Sequence, residues 1–405
     1  MTQRPAKMIP AKKVPAKKVN VLGATGSIGM SSLDLIAKYP DQFSVHILAV
    51  HNNADALADL AERFKPVHVV IMGADGYKRL KSRLADSGVA IHQGMDALLD
   101  LLMLDCDLTI NGISGVAGLL PSLKVLEQGG TCAIANKESL VAAGAILMDT
   151  CRKYGGTILP TDSEHNAIFQ VWSKPHHHAI KDITLTASGG PFLHATKAEI
   201  EAATLEQALR HPNWQMGRKI SIDSATMMNK GLEVIEACVL FDLPEHKVNI
   251  VVHPQSIIHG LVNYADGSML AQLGPADMRV PLSYVLAWPD RLPWAEQSID
   301  LTAIGALDFM SLDHARFPAV GLARQAWNTG GLAPAILNAA NEAAVAAFID
   351  QKIGFTDIIA AIDYALSDMP AALMTSALSD ISLDHILAID LETKTRISAW
   401  LEERR

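Results

Sequence analysis

The chain has 405 residues, a formal charge of −9, 49% hydrophobic residues and four cysteines. That apolar content excludes a disordered chain, and the length suits two or three domains, each able to bury a core. Cys106, Cys132, Cys151 and Cys238 show no C-x-x-C spacing. This argues against a disulfide framework or a cysteine zinc site and fits a reducing compartment.

Residues 1–17 read as a basic, solvated tail. The first 18 residues carry Arg4, Lys7, Lys12, Lys13, Lys17 and Lys18 and no acid. They lack the apolar core of a secretory signal, so the expected location is cytoplasmic. Every apolar run breaks well short of the roughly 18 residues a membrane span needs, so no membrane partner is expected. The remaining body is acidic. Nucleic acid is therefore a poor partner, and an anionic substrate has to be met by local positive groups.

From residue 18 to 161, VNVLGA, FSVHILAV, VHVVIM, LTINGI, TCAIAN and TILPTD read as strands separated by amphipathic helices. That alternation predicts an α/β fold opening with a doubly wound, Rossmann-like domain whose parallel sheet is covered on both faces. Over 162–287 the rhythm changes: DITLTASGG, KISIDSAT, VNIVVHP and SIIHGLVNYADGSMLAQLG read as strand-bearing segments of a central α+β catalytic domain. Trp288, Pro289, Pro293 and Trp294 open a stretch, 288–328, that reads as a surface linker. Residues 329–405 are Ala-rich and amphipathic, and predict a C-terminal α-helical bundle.

LGATGSIG places Gly23, Gly26 and Gly29 between the first strand and the first helix, where backbone N–H groups at a helix start attract a pyrophosphate. After the second strand stand His51, Asn52 and Asn53 rather than the acid that would hold ribose hydroxyls. A carboxylate-free platform favours NADP over NAD; an ordinary polar turn is the other reading.

Three acids stand out. Asp162 and Glu164 are two residues apart at the end of a predicted parallel strand, so in extended chain both carboxylates can point to one side. Glu233 lies on a predicted helix, 227–241, where Asn229, Lys230 and Glu233 share an arc of roughly 100°. Such oxygens suit a hard divalent ion with open positions. Each acid alone also reads as a solvated surface group. Gly231, costly in an exposed helix, favours the site.

Ser188 before two glycines, Ser224 and Lys230 offer an anion a turn, a hydroxyl and a cation. HPNWQMG, 211–217, reads as a loop with Trp214 and Met216 as an apolar lid and His211 as a polar contact; a plain surface loop is the alternative. The run His176, His177 and His178 reads as a solvated loop rather than a metal tract.

Together LGATGSIG, ANKESLV, PTDSEHNAIFQ, LTASGGPF, HPNWQMGRKISIDSATMMNKGLEVIEA, VVHPQSIIHG and LNAANEAAVAAF resemble the 1-deoxy-D-xylulose 5-phosphate reductoisomerases, in order, from about residue 19 to the end. The resemblance implies an NADPH- and divalent-metal-dependent enzyme (Mg2+, Mn2+ or Co2+) of the non-mevalonate isoprenoid route. It would convert 1-deoxy-D-xylulose 5-phosphate to 2-C-methyl-D-erythritol 4-phosphate by skeletal rearrangement and then hydride reduction, usually as a cytoplasmic homodimer. It implies Asp162, Glu164 and Glu233 as metal ligands, and these three with Lys137 as the catalytic set. Lys137, Ser163, Glu164, Ser188, His211, Trp214, Ser224, Asn229, Lys230 and Glu233 would hold the sugar phosphate. Thr25, Gly26, Ser27, Ile28, Asn53, Asn136, Glu138 and Gly217 would contact NADPH. His51-Asn52 departs from the Gly followed by a basic residue that is common in the family at this point. A simple NADP-dependent dehydrogenase shares the first domain but leaves the carboxylate triad unexplained.

Overall fold

A computed structural model describes residues 15–214, 216–294, 296, 298–370, 373 and 381–404, and the backbone alone of Lys174. The expected tail lies outside the described residues up to Val14, and Lys17 already opens the first strand. Strands β1 (Lys17–Leu22), β2 (Phe43–Val50), β3 (His68–Ile71), β4 (Ala90–Gln93), β5 (Leu108–Asn111), β6 (Thr131–Ile134) and β7 (Thr157–Pro160) form one parallel sheet in the order β4-β3-β2-β1-β5-β6-β7. The near-continuous apolar runs follow from burial on both faces: Val21 and Leu48 sit in one core, Leu22 and Ile47 in the other. The strand order reverses beside β1, and in such sheets ligands bind at the carboxyl ends of the strands near that reversal.

β1 leads through Gly23 into the helix Ser27–Lys38. Gly23 has φ +72°, and a Cβ there would lie 2.6 Å from the carbonyl oxygen of Gly112, so only glycine fits.

A second sheet holds β8 (Ile180–Ala187), β9 (Val248–Val252), β10 (Ile258–Tyr264) and β11 (Met269–Leu273) in the order β11-β10-β8-β9. The helices Ser163–Val171 and Met228–Phe241 share a core with this sheet, through Ile168, Val234, Ala237 and Cys238 beside Ile183, Leu185 and Val262. Burying those apolar faces leaves the polar residues of both helices turned to a common cleft.

Four features differ from the sequence reading. KISIDSAT is not a strand but part of the helix Arg218–Ala225. Its alternating isoleucines do not share a face: Ile222 is buried, while Ile220 is exposed. The helix Ala74–Arg83 and the strand β4 stand between VHVVIM and LTINGI, which the sequence reads as successive strands. The helix Arg279–Ala287, assigned to the central segment, sends Leu282, Val285 and Leu286 into the core under β1 and β2. Within the expected linker, Ala319–Thr329 is a helix whose Ala319, Val320, Ala323 and Ala326 are buried in one core with Met228, Leu232 and Ile235.

The C-terminal helices Ala333–Ile349, Asp357–Ser367 and Leu383–Glu403 follow the predicted amphipathic segments. Ile336, Ile362 and Ile397 belong to a core that also contains Leu232 and Ile235, so this helical layer supports the back of the site helix. Among the described residues no helix is long and apolar enough to cross a membrane.

Candidate active site

The chain leaves β7 at Pro160, and Asp162 takes the N-cap of the helix Ser163–Val171, its Oδ1 accepting the Ser163 N–H at 3.1 Å. Glu164 therefore stands in the first turn of a helix, not in an extended strand as the sequence reading had it, and the helix dipole favours its negative charge. Glu233 enters from Met228–Phe241 and is fully buried. One oxygen from each of Asp162, Glu164 and Glu233 lies within 4.8 Å of the others.

Two ammonium groups sit among these acids. Lys137 Nζ is 2.5 Å from Asp162 Oδ2 and 3.2 Å from Glu233 Oε1, and donates to Asn229 Oδ1 at 2.8 Å. Lys230 Nζ is 2.7 Å from Glu164 Oε1 and also donates to Glu233 Oε2, while Asn229 donates to Glu233 Oε1. Burial opposes charge on Glu164, yet Lys230 and Lys137 outweigh it and hold that carboxyl at about 2. Glu233 is pushed up to about 7 by burial and by the charge of Glu164, despite both lysines. Three carboxylates against two ammonium groups leave this pocket short of positive charge. Such a hard-oxygen donor set fits a divalent cation that keeps positions for other oxygens.

His165 and Glu236 lie behind the triad, and neither was singled out in the sequence. His165 Nε2 faces the carbonyl of Glu233 at 2.9 Å, and Nδ1 is 3.4 Å from Glu236 Oε2 and 3.8 Å from Asp162 Oδ2. Burial brings His165 down to about 4 and pushes the Glu236 carboxyl well up. Gly231 has a packing role rather than a functional one. A Cβ there would meet Ala323 Cβ at 2.9 Å and the carbonyl of Ala319 at 3.2 Å, so it lets Ala319–Thr329 approach the site helix.

The polar wall opposite is built from loops. Ser188 follows β8; its hydroxyl accepts the Gly190 N–H at 3.2 Å and meets His211 Nε2 at 2.9 Å. His211 Nδ1 accepts the backbone N–H groups of Asn213 and Trp214 at 3.2 and 3.0 Å. That pattern assigns the ring proton to Nε2, which donates to Ser188. Trp214 meets His259 edge to face at 6.0 Å, and Asn213 Nδ2 donates to Pro254 O at 2.5 Å and Ser256 Oγ at 3.0 Å.

A cleft of about 530 Å³ joins these parts. Ser27, Ile28, Lys137, Asp162, Ser163, Glu164, Ser188, His211, Trp214, Met216, Gly217, Ser224, Asn229 and Lys230 all line it. Glu233 sits just beneath. Thr25, Gly26, Asn53, Asn136 and Glu138 do not line it. Asn53 caps the helix Ala54–Phe64. Asn136 Nδ2 donates to the carbonyls of Ile113 and Gly115 at 2.7 and 2.5 Å, so its amide is committed to the scaffold. Glu138 pairs with Lys219 at 2.5 Å. Ser256, His259, Asn213 and Met278 line the cleft but were not singled out. VVHPQSIIHG was recognisable as a motif, yet nothing in its spacing separated ligand contacts from loop supports.

Family models for 1-deoxy-D-xylulose 5-phosphate reductoisomerase match residues 19–144, and models of its C-terminal domains match 158–241 and 273–396. The curated reductoisomerase of Zymomonas mobilis is 48% identical over 386 residues, covering 95% of this chain and 97% of its own. The chain belongs to this family. A Caulobacter vibrioides reductoisomerase is also 48% identical, over 372 residues, with 92% of each chain covered. Among solved structures, the Zymomonas mobilis reductoisomerase in complex with NADPH matches with TM-score 0.88 and 46% identity, covering 96% of this chain and 99% of its own. A reductoisomerase in complex with NADPH, fosmidomycin and magnesium matches with TM-score 0.91 and 40% identity, covering 95% and 98%. Membership of the reductoisomerase family accounts for why a dinucleotide-type loop and an acidic cluster meet in one cleft.

Proposed function

We propose that the cleft binds NADPH at the Ser27–Ile28 helix start, a divalent cation at Asp162, Glu164 and Glu233, and 1-deoxy-D-xylulose 5-phosphate between them. The protein is an NADPH- and magnesium-dependent reductoisomerase yielding 2-C-methyl-D-erythritol 4-phosphate for isoprenoid precursor synthesis. The convergence of the three carboxylates beside the first βα turn carries the site assignment.

When bound, the cation supplies Lewis-acid polarisation of a chelated carbonyl and NADPH supplies the hydride. The chain's own residues do the rest. Lys137, with Asn229 and Asp162 fixing its ammonium, stands where negative charge develops on a substrate oxygen. Ser188, Ser224, Asn229 and Lys230 hold the phosphate with His211, so remote binding energy orients the reacting carbons. Trp214 and Met216 cover the cleft and exclude water from the intermediate. Thr25, Gly26, Asn53, Asn136, Glu138 and Gly217 contribute to the cofactor side, Asn136 and Glu138 by fixing the start of the helix Lys137–Tyr154. The working form is a homodimer in the cytoplasm. As functional units we assign 18–161 to NADPH, 162–287 to metal and substrate, and 329–405 to support of the site helix.

The test is NADPH oxidation on 1-deoxy-D-xylulose 5-phosphate, with the product skeleton read by NMR. A branched, reduced product whose formation stops with chelator and resumes with Mg2+ is expected. A straight-chain product, or turnover indifferent to chelator, overturns the reading.

A further inference from the structure

Three histidines gather on the N-terminal sheet, away from the catalytic cleft. β1 and β2 pair as Val19 with Val45 and then Asn20 with Ile47, so His46 is the extra residue of a β-bulge. A bulge turns two successive side chains toward one side. His46 thereby joins the face of Ile47, which pairs with His68 of β3; on β4, His92 pairs with Val70, two residues past His68 and on the same face. All three rings are part-buried.

The three rings stand next to one another, although in their present rotamers they do not bring one nitrogen each within 4.8 Å. His68 Nδ1 and His92 Nε2 are 3.1 Å apart, and their ring centroids 5.1 Å. The His46 and His68 centroids are 5.4 Å apart. A tetrahedral ion with metal–nitrogen bonds of about 2.0–2.1 Å sets imidazole centroids about 5.2 Å apart. His46 Nδ1 is buried with no hydrogen-bond partner. The His46 ring stacks on His68 at 26°, so joint ligation requires it to turn about its side-chain bonds. Burial holds His46 and His68 below the usual imidazole value, which keeps them in the neutral, metal-binding form.

We propose that His46, His68 and His92 form a second metal site, taking a borderline transition cation such as Zn2+ or Co2+ and clamping β2, β3 and β4. Its nitrogen donors set it apart from the all-oxygen catalytic triad, which suits Mg2+. The fourth position is open to water.

The test is a Co2+ titration of the full chain in excess Mg2+, followed by visible absorption. Tetrahedral nitrogen-bound Co2+ absorbs far more strongly than a six-coordinate oxygen site. One strongly absorbing equivalent, displaced by Zn2+, is expected. It should weaken at least about tenfold in both His68→Gln and His92→Gln, as losing a ligand costs no less than losing a supporting contact. His46→Gln should weaken it too. Unchanged NADPH-oxidation rates would show that each variant is folded, and either strand variant suffices if the other is not. Absence of the intense band from the wild-type chain, its persistence in folded His68→Gln or His92→Gln, or its loss only on replacing His176, His177 and His178 with glutamine would overturn the proposal.

Discussion

Lys137 Nζ lies 2.5 Å from Asp162 Oδ2, so a cation brought in by one helix neutralises an acid at the start of another. Lys137 also faces Glu233, and it is 8% exposed. Lys137→Met leaves these acids without that partner. Breaking a buried pair in this way costs about 3–5 kcal/mol. Urea unfolding of the metal-free variant should show that loss, with part of it recovered in Mg2+. Turnover should fall about 10²–10³-fold, the scale of losing one oxyanion-stabilising group. Unchanged urea midpoint and unchanged turnover would together remove Lys137 from the site.

Glu233, at about 7 in the metal-free protein, is partly protonated at neutral pH. A cation must displace that proton, so apparent metal affinity should fall by up to about tenfold per pH unit below 7. Because burial and Glu164 raise this pKa, the stability that Glu233 gives the metal-free fold is fully present below its ordinary value of 4.5 and is lost as pH rises through 7. Calorimetry of metal binding in buffers of different ionisation enthalpy measures the released proton. Glu233→Gln should release less of it. Equal release from both proteins would contradict the assignment.

Trp214 packs on His259 and covers the cleft. Trp214→Ala should raise KM for the sugar phosphate about tenfold and lower turnover, because the lid contributes to both binding and water exclusion. Steady-state kinetics separate the two parameters. If neither moves, the loop is a plain surface feature.

Gly231→Ala places a methyl 2.9 Å from Ala323 Cβ. Overpacking of this kind costs about 1–3 kcal/mol. Ala323→Gly should recover part of it. A double-mutant cycle in urea measures the coupling, and a coupling near zero would show that the helices do not meet here.

The strands around LGATGSIG were legible because burial on both faces writes strands as apolar runs, and because a tight turn against Gly112 demands glycine. The acids of the triad were legible by type, but not by local geometry: Asp162 and Glu164 meet Glu233 through a helix N-cap that only the packing of Ile168 against the second sheet positions. The helix Ala74–Arg83 buries only Gly76 and Leu80, and no residue of β4 is buried, so that pair left almost no hydrophobic signal. Arg218–Ala225 misled in the opposite sense. Its buried Asp223 is satisfied by Lys219 and Asn341, and sequence spacing cannot show a partner 118 residues away. His165 and Glu236 stayed hidden for the same reason.

Mn2+ binding, followed by its electron paramagnetic resonance signal in the wild-type chain and in Asp162→Asn, Glu164→Gln and Glu233→Gln, tests the metal assignment most directly. Each replacement should weaken binding by at least about tenfold to a hundredfold, as expected on losing a ligand. Wild-type affinity in all three variants would contradict the site.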